Sequence, residues 1–244
     1  MSSNRRKALR QSPIALSSTK SMPAVEKRPL ELLGYQEDPI QVIVTNNGHS
    51  ALFTFQFPCD EAIIERGGPL PGEFQFDSLH FHWGANSKRG AEHVIKGRRY
   101  AMEMHLVFFN RQYDSFMEAR TEQNGLSVLG IFFDKSCVAP DYGWIAALSK
   151  VRPAGASYAL PDPSVFNIKE LIGQNRRPYF YYHGSLTSPP FFETVCWIVQ
   201  KTPLPISEAQ LKMFRSLRNN SGEPLVDNYR ELQDSNRRPV FRYR

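Results

Sequence analysis

Cysteine and long apolar runs are both scarce in this 244-residue chain. Its three cysteines, Cys59, Cys137 and Cys196, form no closely spaced pair. No apolar run approaches the ~20 residues of a membrane-spanning helix, and residues 1–16 are basic and polar where a signal peptide needs an apolar centre. We therefore expect a reduced, cytoplasmic protein without a membrane role. A chain shortened at its beginning would show the same pattern.

Long stretches with the 3.6-residue period of a helix are also few, and internal repeats and heptads are missing. Short apolar runs instead alternate with turn residues, and Phe, Tyr and Pro are frequent. This pattern predicts a mainly β protein with one large domain. Short helices are predicted near 115–121, 144–151 and 207–217, where Ser207 followed by Glu208 is typical of a helix start.

The net charge of +6 raises the question of nucleic-acid binding. Arg5-Arg6-Lys7 and the segment from Arg237 to Arg244 are basic, but the charges of the chain as a whole are scattered. No helix-turn-helix, zinc-finger or RNA-binding aromatic motif accompanies them. We interpret these charges as solvated termini and predict no nucleic-acid partner.

The most informative motif is His80-Phe81-His82-Trp83-Gly84, followed by Glu103-Met104-His105. Residues i and i+2 of a strand share a face, so His80 and His82 can bind one ion while Phe81 and Trp83 pack in an apolar layer. Three imidazoles leave a tetrahedral zinc one position short, which is typical of a catalytic site.

The third histidine lies on a second predicted strand, residues 100–109. There Glu103, His105 and Val107 share one face. Turn-forming residues between the two segments favour antiparallel neighbours, which would place His105 beside the other two histidines. Glu103 is then positioned to accept the second ring N–H of His105 and to fix its tautomer without binding the metal.

Two other interpretations of these histidines compete with a metal site. A single strand histidine is usually an ordinary core or surface residue, but three in register are not. His-x-His also opens the metal site of cupins, which need a Glu four or five residues later; this chain has Asn86 and Ser87 there. The cupin interpretation is therefore weak.

The chain resembles the α-class carbonic anhydrases from residue 11 almost to its C-terminus. The landmarks are Asn46-Asn47-Gly48-His49, the two histidine motifs, Glu92-His93, residues 125–132, Gly184-Ser185-Leu186-Thr187-Ser188-Pro189-Pro190 and Trp197-Ile198-Val199. The resemblance implies a large twisted, mostly antiparallel sheet of about ten strands with short surface helices. It also implies a monomer whose single domain spans residues 11–244, after a disordered or non-family segment of residues 1–10.

The implied reaction is reversible hydration of carbon dioxide to bicarbonate and a proton by zinc-bound hydroxide. His80, His82 and His105 match the zinc ligands. Thr187 matches the residue that orients hydroxide, with Glu92 as its buried acceptor, and His49 matches the proton shuttle. The matching substrate-binding residues are Val107, Val128, Leu186, Thr187, Ser188, Val195 and Trp197.

Several positions depart from the family pattern. Leu52 replaces a residue that is often polar in the family and helps to hold the relay waters, although Asn47 is retained. Ser78 stands where a glutamine usually supports the first zinc histidine. His93 is expected to be structural or peripheral. The alternative function is therefore a catalytically weak or silent carbonic anhydrase-related binding module.

Overall fold

The computed structural model describes residues 9–25, 28–35, 38–58, 63–166, 168–172 and 178–243. Residues 1–8, which make up most of the predicted leading segment, lie outside this part of the chain, as does Cys59. Cys137 is exposed and Cys196 is buried. Within the described residues, no helix is long and apolar enough to cross a bilayer.

Strands dominate the described structure, as predicted. They are β1 (Ala15–Leu16), β2 (Met22–Pro23), β3 (Leu30–Leu33), β4 (Gln41–Asn46), β5 (Ala51–Gln56), β6 (Ile64–Gly67), β7 (Phe74–Trp83), β8 (Val94–Ile95), β9 (Arg98–Arg99), β10 (Met102–Asn110), β11 (Leu126–Lys135), β12 (Ser157–Ala159), β13 (Tyr179–Gly184), β14 (Val195–Gln200), β15 (Leu204–Ile206) and β16 (Phe241–Tyr243).

Thirteen strands form one sheet, through which ten run in the order β12-β4-β5-β7-β10-β11-β14-β13-β16-β2. Strands β3, β6 and β15 attach at its side, while β1, β8 and β9 form a separate small sheet. Most neighbours are antiparallel; the parallel pairs of the large sheet are β11 with β14, β11 with β15 and β16 with β2. The prediction of a large, mostly antiparallel sheet is confirmed.

Short helices lie outside the sheet, at α1 (Phe116–Ala119), α2 (Ile168–Ile172) and α3 (Glu208–Arg215), with 3-10 helices at Gly143–Lys150 and Pro163–Val165. Ser207 begins α3 with a reciprocal capping box to Gln210. The segment near 144–151 is therefore helical as predicted, but with the tighter 3-10 geometry. Helix α2 was not predicted, because five residues are too few to show a helical period.

The two faces of the large sheet pack against different apolar clusters. Phe81 and Trp83 of β7 belong to the larger cluster, as do the even-numbered residues Met102 to Phe108 of β10. Val107 of β10 belongs to the other cluster. The predicted strand parity is confirmed, and it places the odd-numbered polar residues of β10 on the opposite face from the larger cluster.

One buried carboxyl interrupts the core away from the histidines. Glu65 of β6 is fully buried, and its Oε2 accepts a hydrogen bond of 2.6 Å from the Ser127 hydroxyl. Its Oε1 has no hydrogen-bond partner among the described residues. Burial raises the pKa of Glu65 to about 7, although the Ser127 hydrogen bond opposes the shift.

Glu65 should therefore make stability depend on pH. Because its folded pKa lies above the unfolded value of 4.5, its favourable contribution is complete below pH 4.5 and is lost as the pH rises to about 7. The loss is about 3 kcal/mol of unfolding free energy. Urea unfolding of wild type and Glu65→Gln between pH 4.5 and 8 measures it.

The glutamine variant should lose this part of the pH dependence. Glu223→Gln, which changes an exposed carboxylate, should keep it. Parallel pH profiles for wild type and Glu65→Gln would contradict the assignment.

Candidate metal centre

Three histidines converge between two neighbouring central strands. In the antiparallel register of β7 and β10, His105 lies opposite His80, and Glu103 lies opposite His82. Potential ligand atoms of the three histidines all lie within 4.8 Å of one another. Nδ1 of His105 is 3.3 Å from Nε2 of His80. The sheet therefore brings together the three residues predicted as metal ligands.

Burial keeps the two β7 histidines in the form that a metal requires. Loss of solvation lowers the pKa of His80 well below its usual value and also lowers the pKa of His82, and repulsion from neighbouring histidines adds to both shifts. Neutral imidazole offers a nitrogen lone pair, whereas imidazolium offers none. Both side chains are thus ready to bind a cation near neutral pH.

Two of the three rings are oriented by hydrogen bonds at the nitrogen that faces away from the cluster. Nε2 of His105 lies 2.9 Å from Oε1 of Glu103, and Nδ1 of His82 lies 2.9 Å from the carbonyl oxygen of Asn228. Each contact fixes a tautomer that leaves the other nitrogen with a free lone pair. Glu103 occupies the position predicted for it.

Glu103 holds more than one partner. Its Oε2 accepts the backbone N–H of His93 at 2.8 Å, and its Oε1 lies 2.7 Å from Nδ1 of His93. Burial by itself would raise the pKa of Glu103, but His93 and His105 together hold it well below its usual value. The carboxylate therefore stays charged at neutral pH.

The hydrogen-bond network of Glu103 extends through His93 and Tyr182 to Ser12. Nε2 of His93 is 2.7 Å from the Tyr182 hydroxyl, which is 3.0 Å from the hydroxyl of Ser12. Nitrogen and oxygen atoms of His93, Glu103 and His105 also lie close enough to hold an ion. Their hydrogen bonds already account for this proximity, so we assign the metal to the other cluster.

A buried nitrogen atom of the histidine cluster lacks a hydrogen-bond partner, which indicates that a metal ion fits there. Nε2 of His82 is buried and has no hydrogen-bond partner among the described residues. A buried ring nitrogen without a partner carries an energetic cost that a metal ion would remove. Together with Nε2 of His80 and Nδ1 of His105, it forms a three-nitrogen donor set suited to Zn²⁺.

Glu92 supplies a second unpartnered atom. The residue is 1% exposed, and its Oε1 accepts the backbone N–H of Arg230 at 2.8 Å. Its Oε2 is 4.0 Å from Nδ1 of His105 and has no hydrogen-bond partner among the described residues. One buried carboxylate oxygen is thus available beside the histidines.

A cavity of about 660 Å³ opens onto the histidines. It is lined by Asn47, His49, Ser50, Leu52, His80, His82, Glu92, Thr187, Ser188, Pro189, Phe191, Asp227, Asn228, Tyr229 and Arg230. The predicted orienting residue Thr187 therefore shares this cavity with Glu92, although no hydrogen bond joins them in the described structure. The predicted shuttle His49 is exposed on the same lining.

A tight turn positions His49. Oδ1 of Asn47 accepts the backbone N–H groups of His49 at 2.9 Å and of Ser50 at 2.7 Å. Gly48, between Asn47 and His49, has a φ of 82°, and a Cβ at this position would lie 2.4 Å from Oδ1 of Asn220. Asn47 thus holds the turn that presents His49 to the cavity.

The predicted apolar substrate wall is also assembled in one place. Val107, Val128, Val195 and Trp197 are buried in the same cluster, and Leu186 packs against it while partly exposed. The Trp197 ring lies 4.8 Å from the ring of His105. This apolar cluster therefore lies beside His105, but none of its five predicted wall residues is among the described residues that line the cavity.

Ser78 does not support His80 in this structure. Its hydroxyl donates a 2.7 Å hydrogen bond to Oδ2 of Asp77, the residue before it. The register of β7 against β10 shifts at this point, so Asp77 is the additional residue of a β-bulge. The described residues give Nδ1 of His80 no hydrogen bond.

Sequence reasoning missed three contributors. Asn228 fixes His82 through a main-chain carbonyl, and a carbonyl leaves no signature in a sequence. Arg230 holds Glu92 through its backbone N–H for the same reason. His93, expected to be structural or peripheral, is buried and structural, but its sharing of the Glu103 carboxylate with His105 was not predicted.

Comparison with known proteins finds one family over most of the chain. A family model described as eukaryotic-type carbonic anhydrase matches residues 2–244. Mouse carbonic anhydrase 7 is 38% identical over 230 residues, covering 92% of this chain and 84% of that protein. Human carbonic anhydrase 7 is 37% identical over the same length and coverage. Human carbonic anhydrase 3 is 35% identical over 204 residues, covering 81% and 76%.

The missing support of His80 leads to a test of metal affinity. Ser78→Gln should bring an amide oxygen within reach of Nδ1 of His80 and tighten zinc binding about tenfold, the lower range of such effects. Ser78→Ala should leave zinc affinity unchanged, because the native hydroxyl bonds to Asp77. Competition with a chromophoric chelator measures both. A clear loss of affinity in Ser78→Ala would show that the serine already supports the site.

Proposed function

The chain belongs to the eukaryotic-type carbonic anhydrase family, a family of carbonate dehydratases, and we propose that it catalyses the zinc-dependent, reversible hydration of carbon dioxide to bicarbonate and a proton. The observation that carries this proposal is the unpartnered Nε2 of His82 beside two further histidine nitrogens. The same cavity contains Glu92 and Thr187.

In this proposal His80, His82 and His105 hold the zinc ion. When bound, zinc acts as a Lewis acid that makes hydroxide available from water near neutral pH, as is established for carbonic anhydrases. Glu103 and Asn228 keep His105 and His82 in the tautomers that this binding requires.

Thr187 and Glu92 orient the attacking oxygen. The buried Oε2 of Glu92 needs a donor, and the Thr187 hydroxyl lines the same cavity. A threonine that donates its proton to this carboxylate has only lone pairs left, so it accepts a hydrogen bond from the nucleophile. The lone pair of the nucleophile is then directed at the substrate.

Carbon dioxide has little polarity and binds against the apolar wall. Val107, Val128, Leu186, Val195 and Trp197 form this wall beside His105, and Ser188 next to Thr187 completes the substrate contacts. Water is poorly held by such a surface, so an uncharged gas can displace it at low cost.

His49 passes the proton to solvent. It is an exposed imidazole at the cavity lining, and an imidazole can take up a proton at one ring nitrogen and release one from the other, which suits transfer through a few waters. Leu52 lies opposite His80 in the β5–β7 register and lines the same cavity. Its apolar side chain cannot hydrogen-bond relay waters, so we expect slower transfer than with a polar residue there.

The proposal also covers location, oligomeric state, partners and domain bounds. We propose a cytoplasmic monomer with no nucleic-acid or membrane partner, in which residues 11–244 form the single domain. The rival function is a catalytically silent binding module, and the absence of a described hydrogen bond to Nδ1 of His80 favours it. The complete ligand set favours the enzyme.

The primary test is carbon dioxide hydration by stopped flow on zinc-loaded protein. His105→Ala removes the ligand fixed by Glu103 and should abolish both the zinc content and the activity. Asn236→Ala, a change in an exposed loop, is the matched control and should retain both. Stoichiometric zinc in the wild type with no rate above that of His105→Ala would support the silent module.

The relay is tested separately. His49→Ala should lower kcat about tenfold in dilute buffer, while kcat/KM for carbon dioxide stays the same, because proton transfer follows the hydration step. Added imidazole should restore kcat. His183→Ala, another exposed histidine, should have no effect. Equal kcat values for wild type and His49→Ala at low buffer would remove His49 from the relay.

A further inference from the structure

The cavity that contains the histidines also contains one arginine, Arg230. We propose that its guanidinium group forms a binding subsite for a planar oxyanion, and that bicarbonate occupies it on its way out of or into the cavity. The identity of the anion rests on the proposed function, whereas the subsite itself does not.

The guanidinium is held in place along one edge. Its Nη1 donates to Oε1 of Gln11 and to the carbonyl oxygen of Ser12, both at 2.8 Å. Its central carbon lies 3.8 Å from the centre of the Phe191 ring. A planar cation stacked on an aromatic face and bonded at one end has little rotational freedom, so little further ordering is needed to bind a ligand.

The other edge is available. Within the part of the chain that the structure describes, Nε and Nη2 of Arg230 make no hydrogen bond. Neither atom is fully buried. They are therefore open to solvent rather than sealed in the core. Nε and Nη2 form the fork that binds two oxygen atoms of one planar anion.

The lining of the cavity carries charges of both signs, and Arg230 is the group on it that can attract an anion. Among the described residues that line the cavity, Arg230 is the one permanent cation. Asp227 is 3.4 Å from Arg89, which compensates much of its charge. Glu92 also lines the cavity, but it is buried and its Oε1 accepts the backbone N–H of Arg230.

The chemistry of the product matches this edge. Bicarbonate is a planar monoanion with two oxygen atoms spaced like those of a carboxylate, and a guanidinium fork binds such a pair through parallel hydrogen bonds. Carbon dioxide is uncharged and linear, so the guanidinium fork does not stabilise its binding. The subsite should therefore bind the product and leave the substrate unaffected.

Binding can be measured without turnover. ¹³C-labelled bicarbonate is titrated by NMR against zinc-free protein at pH 8.5, with ionic strength held constant by chloride. Wild type should show saturable binding, Arg230→Gln should weaken it at least tenfold, and Arg230→Lys should fall between them because lysine keeps the charge but not the fork.

Arg238→Gln is the matched control. Arg238 donates to the carbonyl oxygen of Gln11, so this variant removes one positive charge and loosens the same N-terminal segment, but Arg238 does not line the cavity. It should bind bicarbonate like wild type. Circular dichroism of all variants verifies that they fold.

Absence of saturable binding in wild type, or equal affinity in folded Arg230→Gln, would overturn the subsite. Hydration by the zinc-loaded wild type is measured in parallel. Bicarbonate binding that depends on Arg230 in a protein without hydration activity would leave the subsite standing and reject the proposed function, so the two failures are distinguishable.

Discussion

The metal centre depends on one fully buried carboxylate, Glu103. It lies between two histidine rings, accepts a backbone N–H as well, and remains charged because its partners compensate the cost of burial. His105 can therefore present only Nδ1 to the cavity. The network continues through His93 and Tyr182 to Ser12, so the orientation of a ligand is tied to the packing of the chain's first described segment.

The register between β7 and β10 is the second constraint. Because side chains alternate along a strand, a slip of β7 by one residue would turn His80 and His82 to the face opposite His105. Large apolar residues on that face, such as Phe81 and Trp83, prevent the slip by burial in the core. The same hydrophobic pattern that stabilises the sheet therefore also sets the geometry of the metal ligands.

The cavity combines strictly organised and loosely organised parts. His82 and His105 each have a fixed outer partner, whereas His80 faces Leu52 across the strands and has none among the described residues. Arg230, on the same cavity lining, is anchored by stacking and hydrogen bonds. The orientation of His80 is therefore the least constrained of the three histidines.

Sequence alone determined the mainly β fold, the shared face of Glu103 and His105, and the three histidines of the candidate metal centre, because strand parity and residue spacing are local properties. It could not determine that Asn228 orients His82, since a backbone carbonyl carries no residue signature. Nor could it reveal that Ser78 bonds to Asp77 at a bulge or that Arg230 enters the cavity. Those contacts join distant segments, and only the packed tertiary structure fixes their distances.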